Sequence, residues 1–248
     1  VTDGSKGMVS QANGLAKHFS NNITEIKTEL VFPWNKLQPG ILPTFNWVFK
    51  NNFPTDNFPD MVVSCGRKSV YLSLYFKKKF KKIINIHIQN PRISSKKFNY
   101  IISPNHDNIN GKNIINSVGA LHHFNKINKT SDQKLLSCIV GGNNQHYYFD
   151  INETNKLCDK LLEIKKNNLE VELLIITSRR TSELIKQIII KKLKNIATIW
   201  TGNGKNPYEY ALNNSSYFIV TSDSTSMISE SAISGKSIYV YHLPFKRK

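Results

Sequence analysis

The second half of the chain repeats one pattern: a short apolar run, a polar or glycine turn, then a segment of helical spacing. Its fullest copy is Tyr217 to Gly235, YFIVTSDSTSMISESAISG. Tyr217–Val220 is continuously apolar, as expected of a parallel strand covered on both faces. Thr221-Ser222-Asp223-Ser224 stops it, and Asp223 or Ser224 is a suitable N-cap for a helix over Thr225–Ser234. Gly235 ends that helix and Ser237–Val240 returns as a strand. Leu135–Val140, Val171–Thr177 and Ile196–Trp200 are further apolar runs, interleaved with helical spacing over Asn152–Lys166, Ser182–Lys194 and Tyr208–Asn213. Strands alternating with helices predict an α/β fold with a parallel sheet and crossover helices.

The first half reads the same way with longer loops. Val1–Gly7 is the tail of a strand and a glycine-containing loop, and Met8–Phe19 has helical spacing. Thr24–Phe32 is a strand candidate, and Pro33–Pro59 is a Pro- and aromatic-rich stretch with a short helix near Phe45–Lys50. Asp60–Cys65 is a strand, Gly66-Arg67-Lys68-Ser69 opens a helix to Lys79, and Ile83–Gln89 is a strand that puts His87 and Gln89 on one face. Phe98–Pro104 and Ile114–His122 are the remaining strands. The polar stretch Lys126–Lys134 marks a boundary, giving domains over 1–125 and 135–248 joined by a linker at 126–134.

Composition narrows the partners. The net charge is +17, but it comes from 29 Lys and only 5 Arg, alongside 29 each of Asn and Ile. That is the bias of an AT-rich genome filling exposed positions, and no reader motif accompanies it, so nucleic acid is not an expected partner. The densest cluster, Lys77, Lys78, Lys79, Lys81 and Lys82, falls at a helix end, where cations complement the dipole. An acidic membrane surface is the alternative reading of that cluster. No apolar run approaches the ~20 residues of a membrane helix, and no signal peptide is visible, although the chain opens on Val1 rather than Met. Three cysteines without a CxxC pair fit a reducing, cytoplasmic setting.

Turns that follow parallel strands share one edge of the sheet, so distant segments meet there. In the second half those turns carry Gly141 and Gly142, Ser178-Arg179-Arg180, Asn206 with Tyr208, and Asp223-Ser224 with Ser226 and Glu230 one helical turn apart. Glycines admit close approach, arginines meet charge, hydroxyls and a helix N-terminus hold phosphate, and a carboxylate suits a ribose diol. The same features also serve an ordinary capped, packed crossover helix. No G-x-S-x-G and no Walker loop is present, so hydrolase and NTPase classes fall away. In the first half Asp3, Gly4, Gly7, Gly66, Arg67, Ser69, Gln89 and Arg92 line the corresponding turns, and His87, His106 and Asp107 are candidates for a base. Four histidines lie at strand ends, but without metal-ligand spacing, so no metal site is expected.

The blocks VTDGSKGMVSQANGLA, SCGRKS, HIQNPR, SPNHD, GALHH, IVGG, TSRRT, NPYEYAL and TSDSTSMISESAISGK run in order along nearly the whole chain. In this they resemble the elongated-mitochondria family of fission factors, which has plant and many bacterial members. The second half is more distantly similar to the donor domain of GT-B glycosyltransferases. That resemblance implies two Rossmann-like domains facing a cleft, with Glu230 on the nucleotide of a nucleotide-sugar donor. It implies a metal-independent glycosyl transfer with the nucleotide-sugar as substrate and no separate cofactor. The rival implication is a non-catalytic adaptor that recruits a dynamin-related protein at a membrane surface, as plant members do. GT-B proteins continue with closing helices beyond the last strand, and the first strand here begins at Val1. The chain is therefore expected to be a fragment, incomplete at both ends.

Overall fold

The computed structural model describes residues 1–51, 53, 59–125 and 134–246. The chain divides into two compact units, Val1–Phe124 and Asn125–Lys248. Most of the expected linker, 126–133, lies outside the described residues.

The first unit is built on four parallel strands, β1 (Met61–Cys65), β2 (Ile84–Ile88), β3 (Tyr100–Pro104) and β4 (Ile114–Ser117), in the order β1-β2-β3-β4. Helices α1 (Lys6–Ala16) and α2 (Arg67–Lys79) cover it. Beyond β1 the sheet is prolonged by single rungs: Cys65 N–H donates to Val1 O, and Thr2 is bridged in parallel to Lys27. The two faces of β1 and β2 feed different clusters. Ala12, Val63, Cys65 and Ile88 pack under α1, while Val62, Tyr71, Leu72 and Phe76 join Leu30, Trp34 and Val48.

Two expectations change here. Thr24–Phe32 is not a continuous strand: it bridges Thr2 at Lys27 and then Phe49, antiparallel, at Leu30, so its partners change side within four residues. The predicted strand over Ile114–His122 stops at Ser117, where the Ser117 hydroxyl turns back to donate to Gly119 O at 2.7 Å. Val118 beyond it is 95% exposed, as befits a chain leaving an edge strand with nothing to cover it.

The second unit is a five-stranded parallel sheet of β5 (Leu135–Val140), β6 (Glu172–Thr177), β7 (Ala197–Trp200), β8 (Tyr217–Thr221) and β9 (Ser237–Tyr241). Its order is β7-β6-β5-β8-β9. The chain winds outward from β5 in one direction, then returns to lay β8 on its other side: a doubly wound sheet whose direction reverses between β5 and β8. All six residues of the central strand β5 are buried, which is why its sequence shows no alternation. Helix α3 (Ile151–Asn167) starts where Asp150 accepts from Glu153 N–H at 2.9 Å and buries Leu157, Cys158 and Leu161. Helices α4 (Glu183–Leu193), α5 (Tyr208–Asn214) and α6 (Thr225–Ala232) make the later crossovers. Ser182 and Ser224 cap α4 and α6 through their hydroxyls.

The α/β class and the parallel sheets were legible as expected. Cys65, Cys138 and Cys158 are free and buried, and burial raises the thiol pKa of each, so they act as small hydrophobes rather than nucleophiles. Among the described residues no helix is long and apolar enough to cross a membrane.

Candidate functional site

The parallel order brings the turns after β5, β6, β7 and β8 to one edge of the second sheet. At the reversal point between β5 and β8 the turns after β5, β6 and β8 are tied together through one carboxylate. Asp223 Oδ1 accepts from the Thr221 hydroxyl at 2.6 Å, and Oδ2 accepts from Gly142 N–H at 3.1 Å and from Arg180 Nη2 at 2.5 Å. Thr221 Oγ1 in turn accepts from Gly141 N–H at 2.8 Å, and Asn144 Nδ2 donates to Asp223 O at 2.9 Å. Three turns, after the neighbouring strands β6, β5 and β8, are thus held by side chains that the strand ends deliver in register.

This arrangement assigns Gly141 and Gly142 a role other than admitting phosphate. Their N–H groups are spent on Thr221 and Asp223. A Cβ on Gly141 would stand 2.1 Å from Asp223 Oδ1, and one on Gly142 would stand 2.1 Å from Arg180 O. They are glycines because a carboxylate and a neighbouring turn pass close to their α-carbons.

The turn after β6 is folded on itself. Ser178 N–H donates to Thr181 Oγ1 at 3.0 Å, Arg180 N–H donates to Ser178 Oγ at 3.1 Å, and Thr181 Oγ1 donates to Gly141 O at 2.5 Å. Ser178 therefore shapes the loop. Arg179 is exposed. Arg180 keeps 42% of its side chain exposed while Nη2 holds the buried Asp223. Among the described residues its Nε and Nη1 make no hydrogen bond, so the guanidinium retains donors for an anion.

A second pair lies across α5 and α6. Tyr208 donates its hydroxyl to Glu230 Oε2 at 2.7 Å. Glu230 is buried, and burial raises its pKa while the Tyr208 hydrogen bond opposes the rise. Burial and the adjacent carboxylate raise the Tyr208 phenol as well. Asn206 Oδ1 accepts from Tyr208 N–H at 3.0 Å and sets the entry to α5. Ser224 Oγ accepts from Met227 N–H at 3.4 Å, a weak cap, and Ser226 occupies the first turn of α6. Sequence reasoning did not single out Thr221 or Asn144, nor the bond from Tyr208 to Glu230. The only signal for Thr221 was its place as the last strand residue, two before an acidic one.

The first unit treats its candidates differently. Arg67 Nη1 donates to Lys36 O at 3.1 Å and Leu37 O at 2.5 Å, and Nη2 donates to Asn35 O at 2.7 Å. Its fork staples the backbone of residues 35–37, so these donors are spent within the fold although Arg67 was expected to line a site turn. Ser69 is buried with its hydroxyl on Gly66 O at 2.6 Å. Gly66 has φ +88°, and a Cβ there would meet Met8 Sδ at 2.2 Å. Asp3 accepts from Ser5 N–H at 2.9 Å, Gly4 turns with φ +82°, and Gly7 lies inside α1 instead of the loop.

His87 is withdrawn as a base. It is fully buried against Phe98, its Nδ1 lies 2.8 Å from Ser64 Oγ, and Nε2 has no partner. Since Ser64 donates to Ile86 O at 3.3 Å, the consistent tautomer has Nδ1–H donating to Ser64 and Nε2 bare. Burial lowers its pKa to about 3. Gln89, expected on the same face, instead has φ +79° and leaves the strand, its Nε2 reaching Gln11 Oε1 at 3.5 Å. Arg92 also has a positive φ, +56°, and is exposed. Asp107 Oδ2 accepts from Asn90 N–H at 3.1 Å and from Ser103 Oγ at 2.7 Å, with His106 Nε2 3.8 Å from Oδ1. It links the ends of β2 and β3.

In the lysine cluster, Lys77 is spent on Ile83 O at 2.5 Å and Asn99 Oδ1 at 2.8 Å, and Lys79 lies 5.3 Å from the centre of the Phe80 ring. Lys77, Lys78 and Lys79 form the last turn of α2, the dipole-matched position.

A doubly wound parallel sheet that reverses direction between β5 and β8 gives the second unit a Rossmann-like architecture. Among solved structures the chain is similar to a putative UDP-N-acetylglucosamine 2-epimerase from Listeria monocytogenes, with TM-score 0.52 and 10% identity over 73% of this chain and 57% of that one. It is also similar to the UDP-GlcNAc 2-epimerase of Methanocaldococcus jannaschii, with TM-score 0.50 and 16% identity over 73% of this chain and 61% of that one. These likenesses show the fold, which is GT-B-like. Residues 6–248 match the mitochondrial fission ELM1 family, and the chain belongs to that family. It is 28% identical to protein RP120 of Rickettsia prowazekii (strain Madrid E), over 98% of this chain and 82% of that protein. It is 23% identical to mitochondrial fission protein ELM1 of Arabidopsis thaliana, over 73% of this chain and 51% of that protein. The chain thus spans about half the length of the plant relative and under two thirds of these solved structures.

Proposed function

We propose that the strand-end edge of the second unit binds the nucleoside diphosphate of a nucleotide-sugar, and that the protein transfers the glycosyl group to an acceptor. The observation that carries the reading is the half-exposed Arg180, fixed on one side and open on the other, at the reversal point of the sheet. Arg180 meets the diphosphate, the first turn of α6 with Ser224 and Ser226 supplies further donors, and Glu230 accepts from the ribose hydroxyls beside Tyr208. Both solved relatives described above are named for UDP-GlcNAc, which supports a nucleotide-sugar as ligand.

In the transfer, a base takes the acceptor hydroxyl proton as its oxygen bonds to the anomeric carbon. The bond from that carbon to the diphosphate oxygen breaks, and the leaving charge falls to Arg180 and the α6 N-terminus. The test is calorimetric titration of UDP, GDP, ADP and CDP, with and without their sugars, into wild type and Glu230→Ala. Micromolar binding of one base series that is lost in the variant is expected. No binding of any of them rejects the transferase reading.

One observation favours a second reading, a non-catalytic adaptor. Phe32 and Trp47 are 77% and 61% exposed, and the Trp47 ring stacks on Phe45 with centroids 6.0 Å apart. Such a cluster suits a protein partner, a dynamin-related protein in the plant case, or a membrane surface reached with Lys78, Lys81 and Lys82. Trp47→Ala would then abolish partner or vesicle binding and leave nucleotide titrations unchanged.

A further inference from the structure

We infer that Asp223 is a positioning residue: it does not touch the ligand but sets the Arg180 guanidinium toward the diphosphate, an inference that rests on reading this edge as a nucleotide site. The Asp223 side chain is 0% exposed, so it reaches no ligand. A phosphate beside a bare carboxylate would also be repelled, which makes its presence at an anion site a puzzle for any contact role. Its hydrogen bonds resolve the puzzle. Oδ1 is filled by Thr221, and Oδ2 by Gly142 N–H and Arg180 Nη2. Every donor that the carboxylate attracts belongs to a different strand-end turn.

An arginine in a surface turn has a long, rotamer-rich side chain whose ordering opposes binding. Asp223 removes that freedom before the ligand arrives. It takes one Nη2–H bond and leaves Nε and Nη1, which make no hydrogen bond among the described residues, on the exposed side. The backbone has been shaped to allow this. Gly141 has no Cβ where one would meet Asp223 Oδ1 at 2.1 Å, and Gly142 none where one would meet Arg180 O at the same distance. The two glycines, read from sequence as phosphate contacts, serve the positioning of the arginine instead.

The alternative is a staple that only holds the turns together. The two differ in how Asp223 and Arg180 act on ligand affinity, and a double-mutant cycle on the full chain measures it. The probe is UDP, with Asp223→Asn, Arg180→Ala and the double variant, each checked for a cooperative thermal transition. Asn is isosteric and can turn its oxygen to Gly142 and Arg180; it loses the charge that grips the guanidinium, and its NH2 replaces the Oδ1 that accepts from Thr221. Asp223→Asn is expected to weaken UDP about tenfold, and the double variant is expected to bind no more weakly than Arg180→Ala alone. Affinity of Asp223→Asn equal to or tighter than wild type, or additive losses, would overturn the positioning role while leaving the nucleotide reading intact. Wild type failing to bind UDP or any other nucleoside diphosphate overturns both. If Asp223→Asn does not fold, Arg180→Lys decides. It keeps the ion pair with Asp223 but has no second arm, so UDP affinity should fall about tenfold with the fold retained. Unchanged affinity would refute the role.

Discussion

Arg67 and Arg180 occupy the same kind of place, a turn that leaves a parallel strand for a helix, and the protein uses them in opposite ways. Arg67 gives three hydrogen bonds to the carbonyls of Asn35, Lys36 and Leu37, so its charge is absorbed by loop backbone. Arg180 gives one bond to a buried carboxylate and leaves the rest of its fork in solvent. Two buried ionisable groups show the same contrast. His87 is sealed between sheet and helix, whereas Glu230 sits at a strand-end edge with one oxygen on Tyr208. A basic residue after a strand is available to a ligand only when the surrounding turn leaves its donors unspent.

The largest effect should come from the spent arginine. Arg67→Ala strips charged donors from three carbonyls and is expected to cost on the order of 3 kcal/mol in urea denaturation, with UDP affinity unchanged. A parallel loss of UDP binding in a folded variant would erase the distinction between the two arginines. Gly142→Ala should cost about 2 kcal/mol, because its Cβ would meet backbone at Arg180 rather than a movable side chain. It should also weaken UDP by displacing Arg180. A neutral Gly142→Ala would mean that the turns are not held as closely as the hydrogen bonds indicate.

The buried pair sharpens the contrast through pH. His87 has its pKa lowered to about 3, so its contribution is present above the unfolded value near 6.5 and drains away as pH falls toward 3. Wild type should lose up to about 1.4 kcal/mol per pH unit from this group across that window, and His87→Leu should remove that part of the slope. Glu230 has the opposite sign. Its pKa is raised, so its contribution is full below the unfolded value near 4.3 and is lost as pH rises through the folded one. Glu230→Gln should match wild type near pH 4 and exceed it in stability at pH 8. Equal pH profiles would place Glu230 in solvent, which would undo its contrast with His87.

How far the sequence reached follows from what it encodes. The uninterrupted run Leu135–Val140 announces a central parallel strand, and Thr221-Ser222-Asp223-Ser224 announces a strand stop and a cap, because both are local. The alternation of such runs carried the fold class. What pattern could not reveal was where hydrogen bonds end. Gly141 and Gly142 look like phosphate-loop glycines, yet their N–H groups meet Thr221 and Asp223 some 80 residues away. His87 falls on a strand next to a polar loop, and only the packing of Phe98 and α2 seals it. Gln89 obeys a two-residue period until the backbone turns left-handed at that residue. Side-chain identity names candidates, and long-range partners decide which keep free capacity.

The most direct measurement is a side-by-side calorimetric titration of UDP into wild type, Arg180→Ala and Arg67→Ala, each shown to be folded. The account predicts micromolar binding to wild type, a loss of about tenfold or more in Arg180→Ala, and wild-type affinity in Arg67→Ala. Binding that survives Arg180→Ala, or that vanishes with Arg67→Ala instead, would contradict the assignment of the nucleotide site to the strand-end edge of the second unit.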